Sequence, residues 1–338
     1  MRYSVIVPVF NRPEEVNELL ASLCRQTLKD FEVIIVEDGS DVESRDVCRR
    51  YCDRLDIIYY AKENGGPGLA RNTGAEHASG EYLIILDSDV VLPEEYLQAV
   101  DDELRRQPAD AFGGPDAAHP DFTPVQKAIS YSMTSFFTTG GIRGGKKKLD
   151  KFYPRSFNMG IRREVYRSLG GFSTMRFGED IDFSYRICEA GYSTRLFPEA
   201  WVWHKRRTDF RKFYRQVYNS GIARINLEKR HPGTMKAVHL LPAVFTVGTL
   251  ALVFLSAVGF VADVCWLMLL PWVPIVLYAL IIFADSALKS RSLRVGLLSV
   301  PAAFVQLMGY GMGFIKAWWK RCVKGEDEFT AFEKNFYK

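Results

Sequence analysis

The 338-residue sequence predicts an α/β domain, a mostly parallel central sheet flanked by helices, followed by C-terminal transmembrane α-helices. Three observations carry that expectation. Within the first hundred residues, short apolar runs alternate with stretches whose apolar residues recur at helical spacing. Several of those runs end in acidic or polar turns. Residues 238–284 then hold a single charge, Asp263, whereas charges recur throughout residues 1–236. With 48% hydrophobic and 25% charged residues, the chain can bury a sizeable core.

Residues 5–9 read as a buried strand. Pro13 opens a helix in which Val16, Leu19, Leu20 and Leu23 share one face. A strand at 33–36 is closed by Asp38-Gly39-Ser40, and a third follows at 57–60. A helix from 68 to about 77, a strand at 82–86 and a helix marked by Leu97, Val100 and Leu104 complete the series. Such repetition builds a parallel sheet, whose ligands bind beyond the carboxyl ends of the strands. Asn11-Arg12, Glu37-Asp38 and Asp87-Ser88-Asp89 each follow a strand, so carboxylates collect at one sheet edge. Residues 112–204 are less regular, and the glycine- and lysine-rich segment 138–151 has little to bury.

Three apolar stretches, near 238–262, 264–284 and 295–315, approach the length that crosses a bilayer as a helix. Before them, residues 205–236 carry ten Lys/Arg against Asp209 and Glu228, a net of +8. A basic belt before a span predicts an inner (cytoplasmic) membrane protein whose catalytic domain faces the cytoplasm. Three crossings would place Lys316, Lys320 and Arg321 outside, against that tendency, and Gly309, Gly311 and Gly313 could let the third stretch break or re-enter. The six cysteines are scattered and read as reduced thiols. The apolar start at 5–10 is too short for a signal peptide.

Four motifs carry chemistry. Asp87-Ser88-Asp89 is either a solvated loop or a pair of carboxylates holding a divalent cation on a diphosphate. Glu37-Asp38-Gly39-Ser40 is either a turn or a carboxylate for a nucleobase or ribose. Asn64-Gly65-Gly66-Pro67-Gly68-Leu69-Ala70-Arg71-Asn72 runs a glycine-rich loop into a helix start that favours anions, with Arg71 expected in the first turn. Gly170-Gly171-Phe172 precedes Gly178-Glu179-Asp180-Ile181-Asp182, whose carboxylates either cap a helix or supply a general base. A neighbouring like charge would raise one of their pKa values.

In this order, with Pro8-Val9-Phe10-Asn11 at their head, these motifs resemble the family 2 glycosyltransferases with a GT-A fold, over roughly residues 1–221. The resemblance implies inverting transfer from a UDP- or GDP-sugar with Mg²⁺ or Mn²⁺. It implies donor contacts from Pro8, Glu37, Asp38, Arg71, Asp87 and Asn158, with Glu37 standing where Asp is more usual. Asp87 and Asp89 match the metal motif, and His204 stands where some relatives carry a metal-binding His. Asp180 matches the catalytic base, with Glu179 on the acceptor side. Gln216-Val-Tyr-Asn-Ser replaces the Gln-x-x-Arg-Trp motif of processive synthases, so single additions are expected. The expected acceptor is lipid-linked or membrane-proximal, in cell-envelope glycan assembly, with no nucleic-acid partner.

The expected layout is a catalytic domain at 1–221, a basic juxtamembrane segment at 222–237, membrane helices at 238–318 and a tail at 319–338. Three rivals are a polyprenyl-phosphate sugar synthase, a non-catalytic nucleotide-sugar-binding scaffold and a transporter subunit. The apolar stretches hold only Asp263 and Asp285 near their edges, which disfavours the last.

Overall fold

The computed structural model describes residues 1–117, 119, 121–140 and 152–332. The Lys146-Lys147-Lys148 loop, weighed as a diphosphate or lipid contact, lies outside the described residues. The chain begins β1 (Tyr3–Val9), α1 (Pro13–Cys24), β2 (Phe31–Asp38), α2 (Arg45–Arg49), β3 (Ile57–Lys62), α3 (Pro67–His77), β4 (Tyr82–Leu86). It continues β5 (Val90–Val91), α4 (Tyr96–Arg106), β6 (Ala111–Gly113), β7 (Asp116–Ala117), α5 (Pro124–Thr134), α6 (Phe136–Thr139), β8 (Asn158–Arg162), α7 (Arg163–Ser168). Then come α8 (Glu179–Glu189), β9 (Thr194–Leu196), β10 (Val202–His204) and the helices α9 (Phe210–Arg230), α10 (Leu241–Val261), α11 (Cys265–Leu269), α12 (Trp272–Ser290) and α13 (Leu293–Trp318). They form two compact units, Met1–His119 with Lys148–Lys205 and Pro120–Lys147 with Arg206–Phe336. The expected domain end at residue 221 falls inside α9.

In the first unit a seven-stranded sheet runs β3-β2-β1-β4-β8-β6-β9. The four strands read from the sequence are mutually parallel. Strand side chains alternate between faces, so Tyr3, Val5, Val7 and Val9 pack with Leu19, Leu23 and Tyr96 on one side. Ile6 joins Ala70, Phe172 and Phe183 on the other. Full burial of each large aliphatic chain stabilises by about 1.5–3 kcal/mol, and the centres of β1 and β2, buried on both faces, are apolar.

Beyond β4 the sheet turns antiparallel at β8. A second sheet, β5-β10-β7, sets β10 antiparallel to β5 with His204 opposite Val90. Apart from β5, these strands of two to five residues lie in the stretch that looked irregular, because so few alternations leave no readable period.

In the second unit, three segments, Ala237–Val261, Cys265–Ser290 and Leu293–Val323, are long and apolar enough to cross a membrane. The third does not break at its glycines: α13 is helical throughout. Gly309 and Gly313 instead admit α9. A Cβ on Gly309 would lie 2.6 Å from Val217 Cγ2, and one on Gly313 would overlap the Tyr218 carbonyl oxygen. The six cysteines are free.

Candidate active site

β4 ends at Leu86 and delivers Asp87 and Asp89 at the carboxyl edge of the sheet. Because β10 pairs with β5 directly after this motif, His204 arrives beside Asp89, its Nε2 3.3 Å from Oδ1. Asp87, Asp89 and His204 each offer a ligand atom, all within 4.8 Å of one another. Two carboxylates and one imidazole form a donor set suited to Mn²⁺ or a similar divalent ion. The His204 ring is stacked on Phe157 at 5.1 Å and its Nδ1 lies 3.9 Å from Asp116 Oδ2, so the imidazole is held with Nε2 toward Asp89.

Arg71 joins this group to the second acidic motif. Its guanidinium lies 2.9 Å from Asp87 Oδ1 and 2.8 Å from Glu179 Oε1. It is buried against the ring of Phe172, 5.2 Å from the centroid. Burial works against its charge, but the two carboxylates outweigh that and raise its pKa above the ordinary value. Asn72 fixes the arrangement by accepting from the Phe172 N–H at 2.8 Å and donating to the Phe172 carbonyl at 2.9 Å. The Gly-Gly-Phe and Ala-Arg-Asn motifs are thus two sides of one contact. Since α3 begins at Pro67, Arg71 sits in the second turn, not the first.

α8 starts at Gly178, in the left-handed region (φ 87°), so its free N–H groups meet Glu179, Asp180 and Asp182. Burial, opposed by Arg71 and assisted by Asp180, pushes the Glu179 carboxyl up to about 7. Burial acts on Asp180 as well, but Arg155 Nε at 2.6 Å outweighs it and holds that carboxyl below the usual carboxylate range. Burial, with a smaller contribution from the like charge of Asp180, therefore raises Glu179, while Asp180, the expected base, stays ionised.

Other expected donor residues are turned inward. Asp38 accepts from the Gly65 and Gly66 N–H groups at 2.8 Å and from Lys62 Nζ at 3.1 Å, tying β2 to the glycine-rich loop. Glu37 is 1% exposed and binds Ser40, the Ser44 N–H at 2.8 Å and Tyr59 OH at 3.1 Å. It braces the turn into α2, where the sequence suggested a donor contact. Asn158 is bound at both ends of its amide, accepting from Tyr96 OH at 2.6 Å and donating to the Ala200 carbonyl at 2.8 Å. It anchors the approach to β10. Pro8 is half-buried in β1, paired with Val36.

Two cations escaped the sequence reading. Arg12 donates to Asp89 Oδ2 at 2.7 Å, and Arg155 holds Asp180. Arg12 carried a weak signal, since it follows a strand on the acidic edge; Arg155, in a stretch without period, carried none.

Residues 4–170 match the profile described as Glycosyl transferase family 2. This part of the chain belongs to that family. The validoxylamine A glucosyltransferase of Streptomyces hygroscopicus subsp. jinggangensis is 30% identical over 227 residues, 59% of this chain and 54% of the relative. The pre-mycofactocin glycosyltransferase of Mycobacterium tuberculosis is 27% identical over 277 residues, 76% and 53%. The chain spans about half the length of both relatives. Among solved structures, the mannosyltransferase PcManGT from Pyrobaculum calidifontis, in complex with GDP-Man and Mn²⁺, superposes with a TM-score of 0.62 at 19% identity, covering 95% of this chain and 88% of that one. The likeness shows the GT-A fold.

Proposed function

We propose that this chain transfers one sugar, with inversion, from a UDP- or GDP-sugar to an acceptor hydroxyl on a lipid-linked or membrane-proximal glycan at the cytoplasmic face of the inner membrane. The observation that carries the reading is Arg71, which ties the Asp87–Asp89–His204 cluster to Glu179 beside Asp180. One continuous ion network thereby joins the place where a diphosphate would leave to the place where a hydroxyl would be deprotonated.

Asp87, Asp89 and His204 would hold Mg²⁺ or Mn²⁺, which when bound neutralises charge on the departing diphosphate. Arg71 and Arg12 hold the two carboxylates in place. The acceptor oxygen attacks the anomeric carbon, its bond to the phosphate oxygen breaks, and the hydroxyl proton passes to Asp180. Asp180 is available because it stays ionised; Arg155 is its partner until an acceptor hydroxyl takes that place. The apolar helices support a membrane acceptor, and the basic belt before them supports the cytoplasmic orientation.

A thermal-shift screen of nucleotide-sugars with and without Mn²⁺ tests the donor and the metal together. The cognate donor stabilises the full chain only with the ion, by mass action, and Asp89→Ala removes that shift and lowers turnover by about 100-fold or more. An undiminished shift in chelator would refute the metal role. Asp180→Asn keeps the donor shift and loses transfer; a phosphate acceptor needs no base, so substantial residual transfer would point to a polyprenyl-phosphate product instead.

A further inference from the structure

We infer that α13, although long and apolar enough to span, does not cross the bilayer. It lies along the interface on the side of α9, and the chain crosses only twice, through α10 and α12.

α9 fixes the reference side. It carries Arg211, Lys212, Arg215, Arg224, Lys229 and Arg230 within 21 residues, too much charge to enter hydrocarbon. It directly precedes α10, so it stands on the side from which α10 enters. Its Tyr218, Ile222 and Ile225 are buried with Phe314 and Ala317 of α13. Gly313 against the Tyr218 carbonyl, and Gly221 against that of Tyr310, bring the two backbones into contact.

Beyond α13 the chain returns along the same helix. Asn219 exchanges two hydrogen bonds with Ala331, at 2.8 and 2.9 Å. Asn226 Nδ2 donates to the Phe329 carbonyl at 3.1 Å, and Arg230 pairs with Glu328 at 2.8 Å. The C-terminal end of α13 is therefore on α9's side.

The other end is there too. α11 and the start of α12 sit against the far end of α10, where Ser256 Oγ accepts from Trp272 Nε1 at 2.9 Å and donates to the Met268 carbonyl at 2.7 Å. α12 then runs back to the entry side. At its end a buried pair, Ser286 and Ser299 at 2.7 Å, joins it to the first turns of α13. A helix of about 39 Å with both ends on one side has to lie along the membrane.

Its surface suits that position. In its most apolar window 44% of residues are buried, against 17% and 11% in the other two segments. Exposed residues of α13 and the position after it include Leu297, Met312, Ile315, Trp318 and Trp319. Next to the tryptophans stand Lys316, Lys320 and Arg321, and tryptophan with basic residues is the composition of the headgroup boundary. Two crossings also return these charges to the side of the basic belt, which removes the conflict that three crossings create.

A membrane-impermeant maleimide, applied to intact cells expressing the full chain before and after permeabilisation, decides the matter. Cys265 and Cys322 are both exposed native thiols, one between α10 and α12 and the other after α13. The labelled peptide is identified by mass, so no native cysteine is removed. Asp263→Cys and Lys324→Cys are run beside them, so that a thiol sunk in lipid does not decide the result. The expected outcome is labelling of the 263–265 site before permeabilisation and of the 322–324 site only after it. Labelling of both sites before permeabilisation, or of neither until it, overturns the two-crossing arrangement.

Discussion

Arg71 sits among Asp87, Glu179 and the Phe172 ring with almost no exposure, so its removal leaves two carboxylates without their cation. Breaking a buried pair from one side typically costs about 3–5 kcal/mol. Arg71→Ala is expected to lower the melting temperature as well as turnover, whereas Asp89→Ala, at the partly exposed rim, is expected to cost activity with little stability. Differential scanning calorimetry of both variants separates the two. Glu179 adds a pH dependence. Its folded pKa stands raised, at about 7 against an ordinary 4.5, so the folded state prefers the neutral acid. The stabilisation this contributes is complete below about 4.5 and is lost as pH rises toward 7. Melting curves of Glu179→Gln across that window should be flatter than those of the parent chain; parallel curves would exclude Glu179 as their source.

At the scale of elements, short strands do what motifs alone do not. β5 and β10, of two and three residues, set His204 against Asp89, and Asn158 holds the approach to β10 through the Ala200 carbonyl. The positions of Asp87, Asp89, Arg71 and Glu179 could be read as motif members because each follows a strand end or opens a helix. Arg155 and the inward turns of Glu37 and Asn158 could not, since they depend on partners up to 62 positions away. The α9–α13 contact is of the same long-range kind. Gly313→Ala should force a methyl into the Tyr218 carbonyl and destabilise the chain in detergent by about 1–3 kcal/mol. Gly248→Ala in α10, where nothing lies within 4 Å, should leave the melting temperature unchanged or slightly raised.

For the whole molecule, the second unit binds α5, α9 and the apolar helices together, which changes what truncation does. A chain ended after Lys236 would keep α9 but uncover Val217, Tyr218, Ile222 and Ile225. It is expected to aggregate or to need detergent, seen as void-volume elution in size-exclusion chromatography, and a well-behaved soluble monomer would contradict this. The sequence by itself determined the four parallel strands, the three apolar helices and the acidic edge, because local period, apolar run length and strand-end composition are written in neighbouring residues. Only the tertiary structure decided which carboxyl is raised, which cations guard the acids and whether α13 can leave the side of α9. Those properties belong to groups far apart in the chain, and their energies exist only once burial brings them within a few ångströms.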